Sequence, residues 1–230
     1  MKILSLITDV GQTPITINHY LTDEPREVKL IRVHGDELSA KECSLAWLSE
    51  EGGEFIDIEN PWREIRFEWD TAWHSVDPNR MFSASGIATS LQEQGSVPTD
   101  ALLKAVKPLA NQVGQLLQKA NTVIALHNNE DFNIGYYQPD GECFESGLAV
   151  HQVDNMHPHD FVLVTQAADF ERLKKSQMNV VLLNDAESDH AGSLSEYCTR
   201  LGQRYFNIEA LRGHLQEQKQ MLRLIMENLD

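Results

Sequence analysis

Short apolar segments alternate with segments of helical periodicity, and this alternation limits the folds available to the chain. The segment Thr122–Leu126 (Thr-Val-Ile-Ala-Leu) is nearly continuous in apolar character, which is typical of a strand buried on both faces of a parallel sheet. The alternation predicts an α/β fold with a mostly parallel or mixed central sheet and helices on both faces. We predict further strands at 28–33, 55–58, 161–164, 180–183 and 205–209, helices at 38–48, 97–119, 167–177, 193–201 and 215–229, and an irregular stretch with a short helix at 77–95.

The charge balance narrows the classes of partner. The 35 acidic and 19 basic residues give a formal net charge of −16. Because nucleic-acid binding needs a basic patch that displaces counterions from phosphates, we expect no nucleic-acid partner, and anionic lipid is disfavoured too. A small anionic substrate is compatible with this charge, since one or two arginines in a pocket reverse the local field. The length of 230 residues predicts a single domain, residues 1–230.

Cysteine usage and the terminal segment bear on the compartment. Cys43, Cys143 and Cys198 are far apart and form no Cys-x-x-Cys, so we expect neither a disulfide framework nor a cysteine zinc knuckle. The apolar run at the N-terminus is too short for a signal peptide, and no window approaches the ~20 apolar residues of a membrane span. These observations predict a cytoplasmic protein with no membrane partner, and they leave its oligomeric state open.

Polar residues at three predicted strand ends suggest a metal centre. His34 and Glu37 lie in the turn after the strand predicted at 28–33, and His127 follows the apolar strand at 122–126. Glu209 lies in the strand predicted at 205–209. Side chains at the carboxyl ends of neighbouring strands converge in α/β sheets. Imidazole and carboxylate groups are good zinc ligands, and a catalytic zinc needs three of them plus an open position for water. A further carboxylate can then act as the general base for that water.

The spacing His-x-x-Glu is a weak signal by itself, because two further instances begin at His127 and His214. The instance at His34 differs from both, since it combines a predicted buried strand, a glycine and a following helix. A histidine-rich stretch that also contains two aspartates occurs later in the chain. We interpret that stretch as a polar loop rather than a second metal site, because its spacing fits no known ligand set. It consists of His151, Asp154, His157, His159 and Asp160.

Four short segments occur in an informative order. They are His-Gly-Asp-Glu at 34–37, Asp-Pro-Asn-Arg at 77–80, Leu-His-Asn-Asn at 126–129 and Asn-Ile-Glu at 207–209. This order resembles the zinc carboxypeptidase superfamily, and it is nearest to the succinylglutamate desuccinylase/aspartoacylase branch, which has His-Gly-Asn-Glu, Asp-Leu-Asn-Arg and Leu-His-Asn segments. The resemblance covers about residues 28–213. Asp36 stands where that branch has Asn, and Pro78 where it has Leu.

The resemblance implies a zinc-carboxypeptidase-like catalytic domain that binds one Zn²⁺. It implies that His34, Glu37 and His127 are the zinc ligands. It also implies that Glu209 is the catalytic glutamate. A His₂Glu site accepts cobalt and nickel as well, so the native metal is left open.

The resemblance further implies that Asn79 and Arg80 bind a carboxylate of the substrate, a role that suits a bidentate guanidinium beside an amide. A second arginine upstream of this clamp is expected to polarise the scissile carbonyl, and Arg63 and Arg66 are both candidates. A tyrosine is expected to cover the site. The candidates are Tyr136, Tyr137 and Tyr197.

The function predicted from this resemblance is a zinc metallohydrolase that cleaves an amide or peptide bond next to a free carboxylate. Its substrate would be a small peptide or an N-acyl amino acid. One alternative is an N-acyl amino acid deacylase of the desuccinylase/aspartoacylase type. Another is a non-catalytic protein that binds carboxylate ligands on a peptidase scaffold, to which the departures at Asp36 and Pro78 point.

Overall fold

The structure is a computed structural model that describes residues 1–23, 27–184 and 191–229. Within these ranges the strands are β1 (Lys2–Val10), β2 (Thr13–Leu21), β3 (Val28–Arg32), β4 (Glu54–Glu59), β5 (Ile65–Trp69), β6 (Ala72–Val76), β7 (Thr122–Asn129), β8 (Gly147–His151), β9 (Phe161–Val164), β10 (Val180–Leu183) and β11 (Arg204–Leu211). The helices are α1 (Leu38–Glu51), α2 (Ala84–Glu93), α3 (Asp100–Leu117), α4 (Ala167–Lys175), α5 (Leu194–Arg200) and α6 (Leu215–Glu227). Short 3₁₀ turns lie at Pro78–Arg80, Ile134–Tyr137 and Phe144–Ser146.

The central sheet has nine strands in the order β1-β2-β4-β3-β7-β11-β9-β10-β8. Strands β4, β3, β7 and β11 form a parallel block. Antiparallel pairings flank this block, with β1 and β2 on one side and β9 beside β11 on the other. Strands β5 and β6 form a separate hairpin. The α/β prediction is confirmed, and the sheet is mixed rather than mostly parallel.

Helices cover both faces of the sheet, as predicted. Along β7, Val123 and Ala125 pack in one core with side chains of α2, α3 and α5. Ile124 and Leu126 point to the other face and pack in a second core with side chains of α1, α4 and α6. The apolar run is therefore buried on both sides because each face has its own helical layer. Among the described residues, no helix has the length and apolar character needed to span a bilayer.

The predicted helices and strands are all present, with small differences at their ends. Helix α3 begins at Asp100 rather than at 97, because the Thr99 hydroxyl caps it by accepting the Leu102 N–H at 3.2 Å. Helix α2 is the short helix expected within 77–95. Strands β1, β2, β5, β6 and β8 were not predicted. Strand β1 lies at an edge of the sheet, and it faces the core in its second half through Leu6, Thr8 and Val10. Ile3 and Ile7 on its other face are about half and nearly three-quarters exposed, so its apolar pattern does not follow its burial.

A buried ion pair connects two central strands to the turn before α1. Arg32 in β3 and Asp57 in β4 are register partners, and Arg32 Nε donates to Asp57 Oδ1 at 2.6 Å. Arg32 Nη1 donates to the Gly35 carbonyl at 2.6 Å, while Lys41 of α1 lies 2.9 Å from Asp57 Oδ2. Both members of the pair are 1% exposed or less. The pair therefore fixes the turn at residues 34–37 against the sheet.

Gly35 is required by the close approach of another loop. A Cβ at this position would lie 1.5 Å from the Asn60 carbonyl oxygen. Asn60 in turn organises its own loop, since its Nδ2 donates to the Trp62 and Glu64 carbonyls at 2.6 and 2.8 Å. The loop that carries Arg63 is thus packed directly on the turn that carries His34.

We expect Asp57→Ala to destabilise the fold by about 3–5 kcal/mol, because it leaves the buried charge of Arg32 without its carboxylate. Urea unfolding measures this loss, with the exposed strand residue substitution Asp9→Ala as the matched control, expected within about 0.5 kcal/mol of the wild type. A loss for Asp57→Ala as small as that of the control would contradict the structural role of the pair.

Candidate metal centre

His34, Glu37 and His127 converge in the structure and form a compact triad. His34 Nδ1 lies 3.0 Å from Glu37 Oε1 and 3.2 Å from His127 Nδ1, and His127 Nδ1 lies 3.2 Å from Glu37 Oε2. The three side chains come from the β3–α1 turn, the residue before α1, and β7. They are 1%, 1% and 3% exposed. The sequence-predicted ligands are therefore neighbours in space, as the order of the motifs indicated.

The triad fits a bound metal ion. With Glu37 Oε1 as the carboxylate ligand, the three ligand atoms are 3.0, 3.2 and 3.4 Å apart, close to the spacing of about 3.4 Å for atoms about 2.1 Å from a common tetrahedral ion. Glu37 Oε2 is buried, and within the described ranges it makes no hydrogen bond of good geometry, although His127 Nδ1 lies 3.2 Å away. A buried carboxylate oxygen in that condition is costly unless a cation or donor satisfies it. These three residues can hold a divalent cation.

Asp77 orients the first histidine of the triad. Its Oδ1 lies 2.9 Å from His34 Nε2 and also accepts the Asn79 backbone N–H at 2.7 Å. A carboxylate can only accept, so Nε2 of His34 donates its proton to Asp77, and Nδ1 is the nitrogen that a metal ion would coordinate in place of a proton. Metal-binding histidines commonly donate their second N–H to a carboxylate in this way.

The electrostatics of the cluster favour positive charge. Burial by itself lowers the pKa of His34, but the carboxylates of Glu37 and Asp77 outweigh it and raise that pKa to about 9. Burial raises the pKa of Glu37, yet the imidazoles of His127 and His34 outweigh it and lower that pKa well below its usual range. Burial also raises the pKa of Asp77, but His34 lowers it well below the usual range of a carboxyl group. The position between these groups thus suits a cation.

Glu209 lies beside the triad on the neighbouring parallel strand. It is the register partner of His127, so their side chains leave the sheet on the same face. Asn129 Nδ2 lies 3.3 Å from Glu209 Oε2, and Asn207 Nδ2 lies 3.2 Å from Oε1. Burial raises the pKa of Glu209, the proximity of His127 and the hydrogen bond from Asn129 oppose that rise, and the nearby Glu37 adds to it. A carboxyl group with a raised pKa is suited to proton transfer near neutral pH.

A cavity of about 540 Å³ adjoins the triad, within the ~300–1,000 Å³ usual for small-molecule sites. Glu209, Asp77 and Arg63 contribute to its wall. Arg63 Nη1 lies 3.1 Å from Glu37 Oε1, so this guanidinium is in contact with the triad. Arg66 instead lies over the ring of Trp62, 5.5 Å from its centroid, and lines a different cavity. Of the two candidate arginines, Arg63 is the one beside the triad.

Asn79 and Arg80 line the same cavity, as expected for residues that contact a substrate. They lie on the 3₁₀ turn after β6, which Asp77 caps. Asn79 Oδ1 accepts the Leu194 backbone N–H at 3.1 Å, which anchors the turn to the start of α5. The side-chain amide nitrogen of Asn79 and the guanidinium of Arg80 are therefore the groups suited to bind a carboxylate.

The three candidate tyrosines are separated by the fold. Tyr137 lines the cavity and is buried. Tyr136 packs on Phe132 with ring centroids 5.3 Å apart, and Tyr197 packs on Phe82 at 5.0 Å. Tyr136 and Tyr197 are not among the described residues that line this cavity.

Ion pairs cross the mouth of the cavity. Arg212, directly after β11, lies 3.1 Å from Asp36 Oδ2 and 2.7 Å from Glu130 Oε1. The three residues come from the turns that follow β3, β7 and β11, so these pairs join the loops that frame the site. Glu130, the glutamate of the His-x-x-Glu pattern that begins at His127, is thus an ion-pair partner at the rim of the cavity.

Three residues of the site, Asp77, Asn129 and Asn207, carried no assigned role at the sequence level. Asp77 belongs to a recognised segment, but its contact with His34 joins positions 43 residues apart and depends on the fold. Asn129 has a readable signal, since the two-residue period of a strand places it on the same face as His127. The same period aligns Asn207 with Glu209.

Comparisons with known proteins agree with this architecture. A protein from Shewanella frigidimarina NCIMB 400 assigned as a succinylglutamate desuccinylase/aspartoacylase aligns at a TM-score of 0.51 and 12% identity, over 98% of this chain and 71% of that one. Thrombin-activatable fibrinolysis inhibitor aligns at 0.52 and 10% identity, over 97% and 72%. The bovine form of that inhibitor, in complex with tick carboxypeptidase inhibitor, aligns at 0.51 and 11%, over 96% and 88%.

No protein-family model matches the chain, and no curated protein matches it. The structural likeness at 10–12% identity establishes the fold. It is the fold that these desuccinylase/aspartoacylase-type and carboxypeptidase-like neighbours share, as the order of the four sequence segments predicted.

We expect Asp77→Asn to lower the affinity for Zn²⁺ by about 10–100-fold, because the amide no longer fixes the His34 ring with a negative acceptor. Competition with a chromophoric chelator measures this affinity. Asp70→Asn, in the exposed turn between β5 and β6, is the matched control and should bind Zn²⁺ like the wild type. Unchanged affinity in Asp77→Asn would show that Asp77 does not support a metal ligand.

Proposed function

We propose that this chain is a single catalytic domain that acts as a zinc-dependent hydrolase on an amide or peptide bond next to a free carboxylate. The observation that carries the proposal is the convergence of three kinds of group on one cavity. These are the His34–Glu37–His127 triad that adjoins the cavity, a buried glutamate with a raised pKa, and arginines that line the cavity. The coarser conclusion, a hydrolase with a carboxypeptidase-like fold, is supported by the structural neighbours.

In this proposal His34, Glu37 and His127 would hold a Zn²⁺ ion, which when bound would act as a Lewis acid on a carbonyl oxygen and lower the pKa of bound water. Glu209 removes a proton from the attacking water and delivers it to the nitrogen of the leaving amine. Asn129 and Asn207 hold the two oxygens of Glu209 in place for both transfers. The raised pKa of Glu209 lets one group serve as base and then as acid.

In this proposal Arg63 and Arg80 contact different groups of the substrate. Arg63, already 3.1 Å from Glu37, donates hydrogen bonds to the carbonyl oxygen as negative charge develops there. Arg80 and the amide of Asn79 bind the free carboxylate, and their separate turn after β6 places this contact on another part of the cavity wall. Together these groups hold the negative carboxylate of the substrate beside the bond to be cleaved. Their local positive charge explains how a chain of net charge −16 binds an anionic substrate.

The cavity volume suits a small peptide or an N-acyl amino acid. A panel of short peptides with free C-termini, their C-terminal amides, and N-acyl amino acids separates peptidase from deacylase activity. Tight binding of these compounds by zinc-loaded protein without any product would support a non-catalytic carboxylate-binding protein and contradict the proposal.

We expect Glu209→Gln to reduce the hydrolysis rate by about 10²–10⁴-fold, because the amide cannot accept the proton of the attacking water. The zinc content should stay that of the wild type, since Glu209 is outside the triad. Glu217→Gln, on the exposed face of α6, is the control and should keep the full rate. Wild-type turnover by Glu209→Gln would show that another residue is the base.

We expect Arg80→Lys to raise KM for substrates with a free carboxylate by about 10–100-fold, because lysine cannot form the two parallel, charge-assisted hydrogen bonds of a guanidinium. Steady-state kinetics on a peptide and on its C-terminal amide measure the effect, which should be confined to the free acid. Arg66→Lys serves as the control. An equal loss on acid and amide would place the carboxylate elsewhere.

A further inference from the structure

A second group of metal-ligating side chains lies where the histidine-rich stretch meets the start of α6. His157, Asp160 and His214 each offer a ligand atom within 4.8 Å of the others. Asp160 Oδ2 lies 2.9 Å from His214 Nδ1, and the rings of His157 and His214 are 5.1 Å apart. His214, the residue before α6, is 54 residues away from Asp160. The spacing within the histidine-rich stretch therefore could not reveal this group.

The charge balance of this group points to a cation. Asp160 is 1% exposed, and its Oδ1 accepts the Leu211 backbone N–H at 2.9 Å. Its ion-pairing partner among the described residues is His214, and no lysine or arginine within those ranges pairs with it. A buried carboxylate faced by two imidazoles, with no lysine or arginine of the described ranges beside it, is a favourable place for a divalent cation.

The ligand set and its access determine the class of ion. Two imidazoles and one carboxylate match the preferences of Zn²⁺ and of Ni²⁺, Co²⁺ and Cu²⁺ rather than those of Ca²⁺ or Mg²⁺. His157 is exposed, and the hydrogen bond that it accepts is a long one of 3.4 Å from the His159 N–H. Its ring is therefore able to turn toward Asp160 and His214, and water can complete the coordination.

We propose that His157, Asp160 and His214 form a second transition-metal site, separate from the His34–Glu37–His127 triad. The site joins the loop before β9 to the start of α6.

An ion at this second site would also help to position Asn129, which contacts the proposed catalytic residue Glu209. The same loop carries His159, whose carbonyl accepts from Asn129 Nδ2 at 2.9 Å and whose Nδ1 lies 3.0 Å from Asn129 Oδ1. Asn129 Nδ2 in turn lies 3.3 Å from Glu209 Oε2. A metal ion bound to His157 and Asp160 would fix this loop on both sides of His159 and so hold Asn129 in place.

The test is zinc stoichiometry after equilibrium dialysis against micromolar Zn²⁺, with metal determined by mass spectrometry on protein without a histidine tag. We expect two ions per chain in the wild type, and one in His157→Ala, which should fold because His157 is exposed. His127→Ala should also retain one ion, the one at the second site. His74→Ala, on β6 and outside both groups, is the matched control and should retain two.

The outcomes separate this proposal from the proposed hydrolase. Wild-type zinc content in a folded His157→Ala would overturn the second site and leave the triad untouched. A single wild-type ion that is lost in His157→Ala and kept in His127→Ala would support the second site and contradict zinc at the triad. Zinc taken up at this group only at millimolar concentration would also overturn the proposal, since surface histidines in general bind zinc weakly.

Discussion

The buried carboxylate of Glu37 is the group on which the arrangement of the site depends. Placing a negative charge at 1% exposure is costly, and the structure surrounds it with His34, His127 and Arg63 at 3.0–3.2 Å. Each of these groups comes from a different segment of the chain. Glu37 therefore ties the turn before α1, strand β7 and the loop after β4 to one point, where the neighbouring groups also favour a bound cation.

The parallel block of the sheet makes this convergence possible. Strands β3, β7 and β11 are adjacent and run in the same direction, so their carboxyl ends and the turns that follow lie at one edge. The Arg32–Asp57 ion pair holds the turn after β3 against the sheet. Arg212 connects the turns after β3, β7 and β11 at the rim of the cavity. The site is thus supported by buried charge on one side and by exposed ion pairs, which contribute little stability, on the other.

The central strands, the helical layers and the clustering of the candidate site residues could be predicted from sequence, because each has a local signature. The apolar run of β7 marks a strand with two buried faces, and the polar residues His127 and Glu209 stand out at such strand ends. Contacts between distant segments have no such signature, as with Asp77 on His34, Asp57 on Arg32 and the second metal group. The edge strand β1 was not predicted for a different reason, because apolar Ile3 and Ile7 lie on its exposed face and mask the alternation of the strand.

The central claim is that His34, Glu37 and His127 bind a zinc ion at the cavity that contains Glu209. Crystals grown with Zn²⁺ and measured on both sides of the zinc absorption edge test it directly. The account predicts an anomalous peak about 2.0–2.2 Å from His34 Nδ1, His127 Nδ1 and a Glu37 carboxylate oxygen. The absence of a peak at this triad, in crystals where the zinc signal appears elsewhere or in solvent, would contradict it.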